Sequence, residues 1–455
     1  MARKLIGPLG RAARALSAAG RGLFRGFEWW QIALLIIGIL AVISAALGIF
    51  LLSGRLTGDF SGRELADPAS PEFVAGAARI MDTAVEAGGQ AVILHNGDAF
   101  LHAVLADIAN AKTNITFTNY IWEKGAFSDA LMAALLERAR SGVRVLILLD
   151  DVGAMHPPKE QLEELRQLGG DVAYFRKPRI GSLSEYNQRS HRRAIVIDGA
   201  IGYVGGIAIQ DSWLGDADAP DRWRDYMVRF TGPPVEHIQN AFGELWTVTT
   251  GEVLGSSFYS SPSGGVSGIS SSSMKTVSIL SSPGAGTERL PILFWYSFAS
   301  AKHSLYITNP YFLPPPAVLA AGTDAAKRGV DVRVLLPSNL TDAKAVRLAS
   351  QSNYRALLDA GVKVYEYQRS RIHSKVFVVD GIWSVIGSAN MDTRSAVLNE
   401  ENNIGVQDAE FGERVQAAFW EDLKDAREIT KEEWDRRSPF LIALQYLAKV
   451  FQKQF

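Results

Sequence analysis

The chain has 455 residues, with 47 basic and 48 acidic side chains, a formal charge of −1 and no cysteine. Near-neutrality removes the global attraction to phosphate on which general nucleic-acid binding rests, and the absence of thiols excludes disulfides, iron–sulfur centres and cysteine-bound zinc. An apolar content of 47% excludes a disordered or fibrous chain.

In chain order, residues 1–28 carry Arg3, Lys4, Arg11, Arg14, Arg21 and Arg25 against the single acid Glu28. Leu5, Ile6, Leu9, Leu16, Leu23 and Phe24 interleave with these cations, the pattern of a basic amphipathic segment on anionic lipid. Residues 29–54 hold no charge at all, and 26 residues at about 1.5 Å each exceed the roughly 30 Å hydrocarbon core. One N-terminal transmembrane helix is expected there, with Trp29 and Trp30 at the headgroup boundary. The cations before it, and the nearly balanced charges after it, predict a cytoplasmic N-terminus with the bulk of the chain outside. The long basic region favours an uncleaved anchor over a cleaved signal peptide.

Residues 55–88 read as a polar approach without strong periodicity. After it the chain repeats itself. Helical patterns at Ala99–Ala111 and Leu131–Arg140 lead into the strand runs Ile115–Trp122 and Gly142–Asp150. In the second half, Phe294–Ala301 leads into Leu305–Phe312, and a helical stretch leads into Gly329–Pro337. Alternating strands and helices predict an α/β architecture with buried sheets: one lobe over residues 89–250 and another over 276–430. Between them, Ser256 to Ser273 holds ten serines in eighteen residues, so 251–275 is expected to be a Ser/Gly-rich linker. Residues 431–455 carry Phe440, Leu444, Leu447 and Phe451 at helical spacing. This C-terminal amphipathic helix suits the membrane interface, or packing on the second lobe or on a homodimer partner.

The chemistry-bearing signal is a duplicated His-x-basic-x4-Asp pattern. SHRRAIVIDG supplies His191, Arg193 and Asp198, followed by Gly205 and Gly206; IHSKVFVVDG supplies His373, Lys375 and Asp380, followed by Ser388 and Asn390. The histidines and the aspartates are each 182 residues apart. On a strand, a histidine and the cation two residues later share a face. One histidine before a Val/Ile-rich strand is ordinarily a polar strand-end residue, but two copies in register make coincidence improbable. Two imidazoles with two cations suit an anionic phosphoryl group: one ring attacks phosphorus while the other protonates the leaving oxygen. Asp225 in RWRD and Glu401 in LNEEN are placed to fix the ring tautomers. No metal site is expected, since the histidines lack ligand spacing and no carboxylate cluster accompanies them. His95, His102, His156, His237 and His303 have no partner pattern and read as packing or surface residues. Asp150 and Asp151 end a buried strand, and nothing in the sequence decides their role.

HRRAIVIDGAIGYVGG, RWRDYMVRFTGPPV, NPYFLPP and HSKVFVVDG…GSANMDTRSAVLNEEN resemble the phospholipase D superfamily, and within it the bacterial cardiolipin synthase branch, over Ala91–Asp425. The resemblance implies two phospholipase D-type α/β lobes related by pseudo-twofold symmetry around one active site, without metal or cofactor. It implies His191 as nucleophile and His373 as acid and then base, with Asp225 and Glu401 orienting them. Lys375 and Asn390 match phosphate-binding positions, with Gly206 and Ser388 expected beside the substrate and Asp198 and Asp380 as structural support. One departure stands out: Arg193 occupies the first motif's lysine position, keeping the charge in a wider, forked group. The implied activity joins two phosphatidylglycerol molecules into cardiolipin at a bacterial inner membrane, on its periplasmic side. The partners implied are the phospholipid substrate and the membrane, not nucleic acid. A hydrolytic phospholipase D and a catalytically weak lipid-binding protein are the alternatives.

Overall fold

Alternating apolar residues over short runs, broken by Asp-Gly and Gly-Val turns, build most of the strands of a computed structural model. It describes residues 28, 30–31, 34–38, 40, 42, 59–177, 187–259, 273–284 and 288–450. In chain order the first-half strands are β1 (Val85–Ala87), β2 (Gln90–His95), β3 (Asn114–Asn119), β4 (Arg144–Asp150), β5 (Asp171–Phe175), β6 (Ala194–Ile197), β7 (Ile201–Gly205), β8 (Trp223–Arg224) and β9 (Tyr226–Thr231). Those of the second half are β10 (Lys275–Ser281), β11 (Ser304–Thr308), β12 (Asp331–Pro337), β13 (Lys363–Tyr367), β14 (Arg371–Ile372), β15 (Val376–Val379), β16 (Trp383–Gly387), β17 (Glu401–Gln407) and β18 (Ala426–Ile429).

The chain forms two units, Met1–Arg55 and Leu56–Phe455. In the first, the described residues between 30 and 42 are helical and Leu34 to Ile37 are exposed. Among the described residues no helix is long and apolar enough to cross a membrane. The basic segment, except for Glu28, and most of residues 29–54, where the anchor is expected, lie outside the described residues.

Within the second unit, one sheet has the order β2-β9-β7-β6-β3-β4-β5, and the other repeats it as β10-β17-β16-β15-β11-β12-β13 with β1 and β18 added at the edges. The members β3-β4-β5 and β11-β12-β13 run parallel, joined by helical crossovers, and the continuous apolar run Val145–Leu149 of the central strand β4 suits a strand covered on both faces. The expected repeated α/β architecture is thus present.

A period of two decides which side chain faces which layer. On β6, Ile195 and Ile197 enter the first lobe's own core, whereas Ala194 and Val196 join an apolar layer shared with Val376 and Val378 of β15. Phe377 and Val379 point the other way, into the second lobe's core. The two lobes therefore share an apolar interface, which fixes their orientation.

Two stretches differ from the sequence reading. Residues 71–81 of the polar approach form a helix, capped by Ser70, whose Oγ accepts from Phe73 N at 3.2 Å. Phe73, Val74, Ala77 and Met81 pack into the second lobe, and β1 pairs with β10. The helix is only 11 residues long, so its apolar stripe is too brief to stand out as a repeating pattern in the sequence. In the serine-rich stretch, Leu254 and Phe258 pack with Trp246 in the first lobe, while 260–272 lie outside the described residues.

The C-terminal helix Pro439–Val450 rests on the second lobe through Gln445, whose Nε2 donates to Gln351 Oε1 at 3.1 Å, and Lys449, whose Nζ donates to Asn353 Oδ1 at 2.8 Å. Its opposite face exposes Phe440 (79%), Leu447 (58%) and Val450 (69%), an apolar strip that no other described residue covers.

Candidate active site

Each histidine sits just before a hairpin strand, β6 for His191 and β15 for His373. Asp198 and Gly199 in one hairpin, and Asp380 and Gly381 in the other, turn the chain with left-handed φ values of 54°, 61°, 53° and 67°. The Asp198 carboxylate accepts from the backbone N–H groups of Lys112, Thr113 and Asn114, and that of Asp380 from Lys302, His303 and Ser304. Burial raises the Asp198 carboxyl, but these hydrogen bonds outweigh it and hold it below its usual range. Both motif aspartates thus tie the far end of a hairpin to the start of β3 or β11.

The near ends cross between the lobes. Short β14 pairs in parallel with β8, and His373 N donates to Arg224 O at 2.8 Å. In the same way His191 N donates to Glu400 O at 2.9 Å, and Ser190 forms a parallel bridge to Glu400. The residue after each carbonyl is an acid. Glu401 Oε2 lies 2.9 Å from His191 Nδ1, and Asp225 Oδ2 lies 2.7 Å from His373 Nδ1. Each ring is therefore held by the other lobe's carboxylate, and all four side chains are buried.

The cations complete a symmetric pattern. Arg193 Nη1 lies 3.3 Å from His191 Nε2 and 3.4 Å from His191 O, and Lys375 Nζ donates to His373 O at 2.5 Å. A guanidinium only donates, so Nε2 of His191 carries the lone pair and Nδ1 carries the proton given to Glu401. Burial lowers the His191 ring against the pull of Glu401. Burial and the Lys375 ammonium push His373 down to about 4, and burial pushes Lys375 itself down to about 7. For Asp225 and Glu401 burial acts upward, but the facing histidine, together with Lys375 and the Tyr226 N–H for Asp225 and with Ser388 and Ser395 for Glu401, outweighs it and holds each carboxyl below its usual range.

Away from the rings the symmetry breaks. Glu401 also accepts from Ser388 Oγ at 2.5 Å, Ser395 Oγ at 2.7 Å and Asn399 Nδ2 at 3.2 Å. Gly206 stands where Ser388 stands in the other half, and a Cβ there would meet Asp225 Oδ1 at 2.4 Å. Ser388 and Gly206, expected beside the substrate, thus both lie against the orienting acids. Asn390 is buried, and its Oδ1 has no hydrogen-bond partner among the described residues.

Several residues of the site were not singled out by sequence, and Asp150 was noted there without a role. Trp213 and Trp223 stand edge-on to His373, with ring centroids 5.5 and 5.2 Å away, and Tyr120 does the same to His191 at 5.2 Å. Asp150 accepts from Ser190 N at 2.8 Å, directly behind His191. Asn402 clasps the Arg193 backbone, accepting from its N–H at 2.8 Å and donating to its carbonyl at 2.9 Å. Buried Arg192 ties the lobes through Glu400 at 2.9 Å, and buried Arg224 through Asp422 at 2.7 Å. Four of these, Arg192, Trp223, Arg224 and Asn402, neighbour the motif residues directly. Among the described residues no His, Asp and Glu group is arranged to hold a metal.

Comparison with known proteins gives one answer. The family described as Cardiolipin synthase, PLD-like domain, matches residues 104–246 and 296–423. The cardiolipin synthase of Geobacillus kaustophilus (strain HTA426) is 36% identical over 374 residues, covering 80% of this chain and 72% of that protein. That of Staphylococcus aureus (strain Mu50 / ATCC 700699) is 34% identical over 351 residues, covering 76% and 69%. Among solved structures, phosphatidylserine synthase from Haemophilus influenzae Rd KW20 superposes with a TM-score of 0.63 at 15% identity, over 83% of this chain and 96% of that one. At such identity it shows the fold alone. With the paired motifs meeting at one site, the chain belongs to the cardiolipin synthase, PLD-like family and is a phosphatidyltransferase of the phospholipase D superfamily.

Proposed function

We propose that this enzyme joins two phosphatidylglycerol molecules into cardiolipin, releasing glycerol, through a phosphohistidine on His191. The observation that carries the reading is the pair of cross-lobe contacts, His191 to Glu401 and His373 to Asp225, with Arg193 and Lys375 beside them. Nε2 of His191 attacks phosphorus, and the bond from phosphorus to the headgroup glycerol oxygen breaks. That oxygen takes a proton from His373 and glycerol leaves. A free headgroup hydroxyl of a second lipid then gives its proton to His373 and attacks phosphorus, and the P–N bond breaks to restore His191. His373 must be protonated for the first step. An anionic phosphodiester seated against it opposes the burial and the Lys375 charge that hold its pKa down, and so supplies the acid when substrate is bound.

Trp29–Gly54 supports a membrane anchor that keeps the catalytic unit at its lipid substrate, on the periplasmic side of a bacterial inner membrane. The exposed strip of the C-terminal helix supports a second, interfacial contact: Phe440–Phe455 contains no acid and carries Lys449 and Lys453. Mass spectrometry of lipids after incubation with defined phosphatidylglycerol tests the activity. Cardiolipin with glycerol is the expected outcome; phosphatidic acid alone replaces transfer by hydrolysis.

A further inference from the structure

At the 182-residue offset that superposes His191 on His373 and Asp198 on Asp380, Arg193 matches Lys375 and Ala208 matches Asn390. Both differences fall in the first half. The hairpin registers are equivalent, with Ala194 opposite Val204 and Val376 opposite Ile386, so the offset compares like positions in space. Each cation lies at its own histidine's carbonyl. Beyond that they diverge. Lysine offers one point charge; the buried Arg193 offers a planar fork, and its Nε has no hydrogen-bond partner among the described residues. Asn390 contributes a buried amide whose Nδ2 can donate, whereas Ala208 is fully buried in the first lobe's apolar cluster and carries no polar side-chain atom.

We propose that Arg193 alone makes, in the first half, the phosphate contacts that Lys375 and Asn390 divide between them in the second, and that Ala208 is the truncation that leaves room for its guanidinium. The inference rests on the phosphoryl-transfer reading above. It makes positions 193 and 208 a matched pair: Arg with Ala, or Lys with Asn, but neither mixture. A lysine at 193 beside Ala208 lacks a donor, and an asparagine at 208 beside Arg193 crowds the fork.

The test measures initial transfer rates of the full chain on phosphatidylglycerol vesicles for Arg193→Lys, Ala208→Asn and the double variant. Each single change is expected to lower kcat/KM by about tenfold to a hundredfold, the worth of one charge-assisted hydrogen bond. The double variant is expected to recover to within about threefold of wild type, the two sites being coupled. A single Arg193→Lys variant with wild-type kcat/KM overturns the proposal, as does a double variant with a wild-type melting curve that is no better than Arg193→Lys. If a first-half variant fails to fold, the mirror changes decide: Lys375→Arg should lose activity and Lys375→Arg with Asn390→Ala should regain it, and no regain overturns the pairing. Wild-type protein that forms no transfer product instead removes the underlying reading, so the two failures are distinct.

Discussion

Glu401 of the second lobe holds Nδ1 of His191 of the first at 2.9 Å. A nucleophile on one lobe is thus oriented by the other, and neither half carries a complete catalytic group. Glu401→Gln keeps the shape but removes the charge that favours the Nδ1–H tautomer. It should lower the rate of the first glycerol release by about 10²-fold or more, the range of a lost acid–base partner. A pre-steady-state measurement of glycerol release checks this; an unchanged rate removes Glu401 from the orienting role.

The second acid is held differently, and that difference is testable. Gly206→Ala places a methyl 2.4 Å from Asp225 Oδ1, so the carboxylate must leave its place under His373. Turnover should fall by about 10²-fold. Gly255→Ala, where a Cβ meets nothing within 4 Å, should leave turnover as it is. Parallel kinetics on the two variants decide whether crowding at Asp225, and not any added methyl, is responsible.

Lys375, pushed down to about 7 by burial, is charged below that pH in the free enzyme and neutral above it. Phosphodiester binding uses the charged form, so KM should rise as pH increases through about 7, approaching tenfold per unit once the lysine is deprotonated. Lys375→Arg, whose charge does not titrate in this range, should flatten the profile whatever its overall rate. KM measured from pH about 6 to 9 checks the sign: a KM that falls with rising pH contradicts it.

The lobe seam should be costly to break. The Arg192 side chain is fully buried and donates to Glu400 at 2.9 Å and to Glu244 at 2.6 Å. Arg192→Met leaves the buried Glu400 carboxylate short of its cation and should cost about 3–5 kcal/mol in denaturant unfolding. The exposed pair Lys124–Glu160, at 2.8 Å, is the contrast, and Lys124→Ala should leave the unfolding midpoint nearly unchanged.

The C-terminal strip makes a prediction that separates membrane contact from catalysis. Phe440→Glu with Leu447→Glu should raise KM for vesicle-borne phosphatidylglycerol while leaving turnover of a soluble short-chain analogue unchanged. Loss on both substrates, or a change of oligomeric state, would assign the strip to the fold or to a second copy of the chain.

Much of this arrangement was legible beforehand because it is written locally. The two motifs fix which side chains share a strand face, and their duplication announced two equivalent lobes. The crossing of the acids was not legible. It arises because β14 pairs with β8 and Ser190 bridges to Glu400, backbone contacts 148 to 210 residues apart that no periodicity encodes. Trp213, Trp223 and Tyr120 were missed for a similar reason, since an aromatic residue at the site and one in the core look alike in sequence. The helix over residues 71–81 was passed over because its apolar stripe of Phe73, Val74, Ala77 and Met81 spans only 11 residues, and a helix that short depends on its docking on the second lobe.

The central claim is that His191, and not His373, carries the phosphatidyl group. Rapid mixing with phosphatidylglycerol, a neutral to alkaline quench and peptide mass spectrometry test it most directly. A phosphatidyl adduct on His191 that is absent from His191→Gln and accumulates when enzyme is in excess over lipid is the predicted result; an adduct on His373, or turnover by His191→Gln, would contradict it.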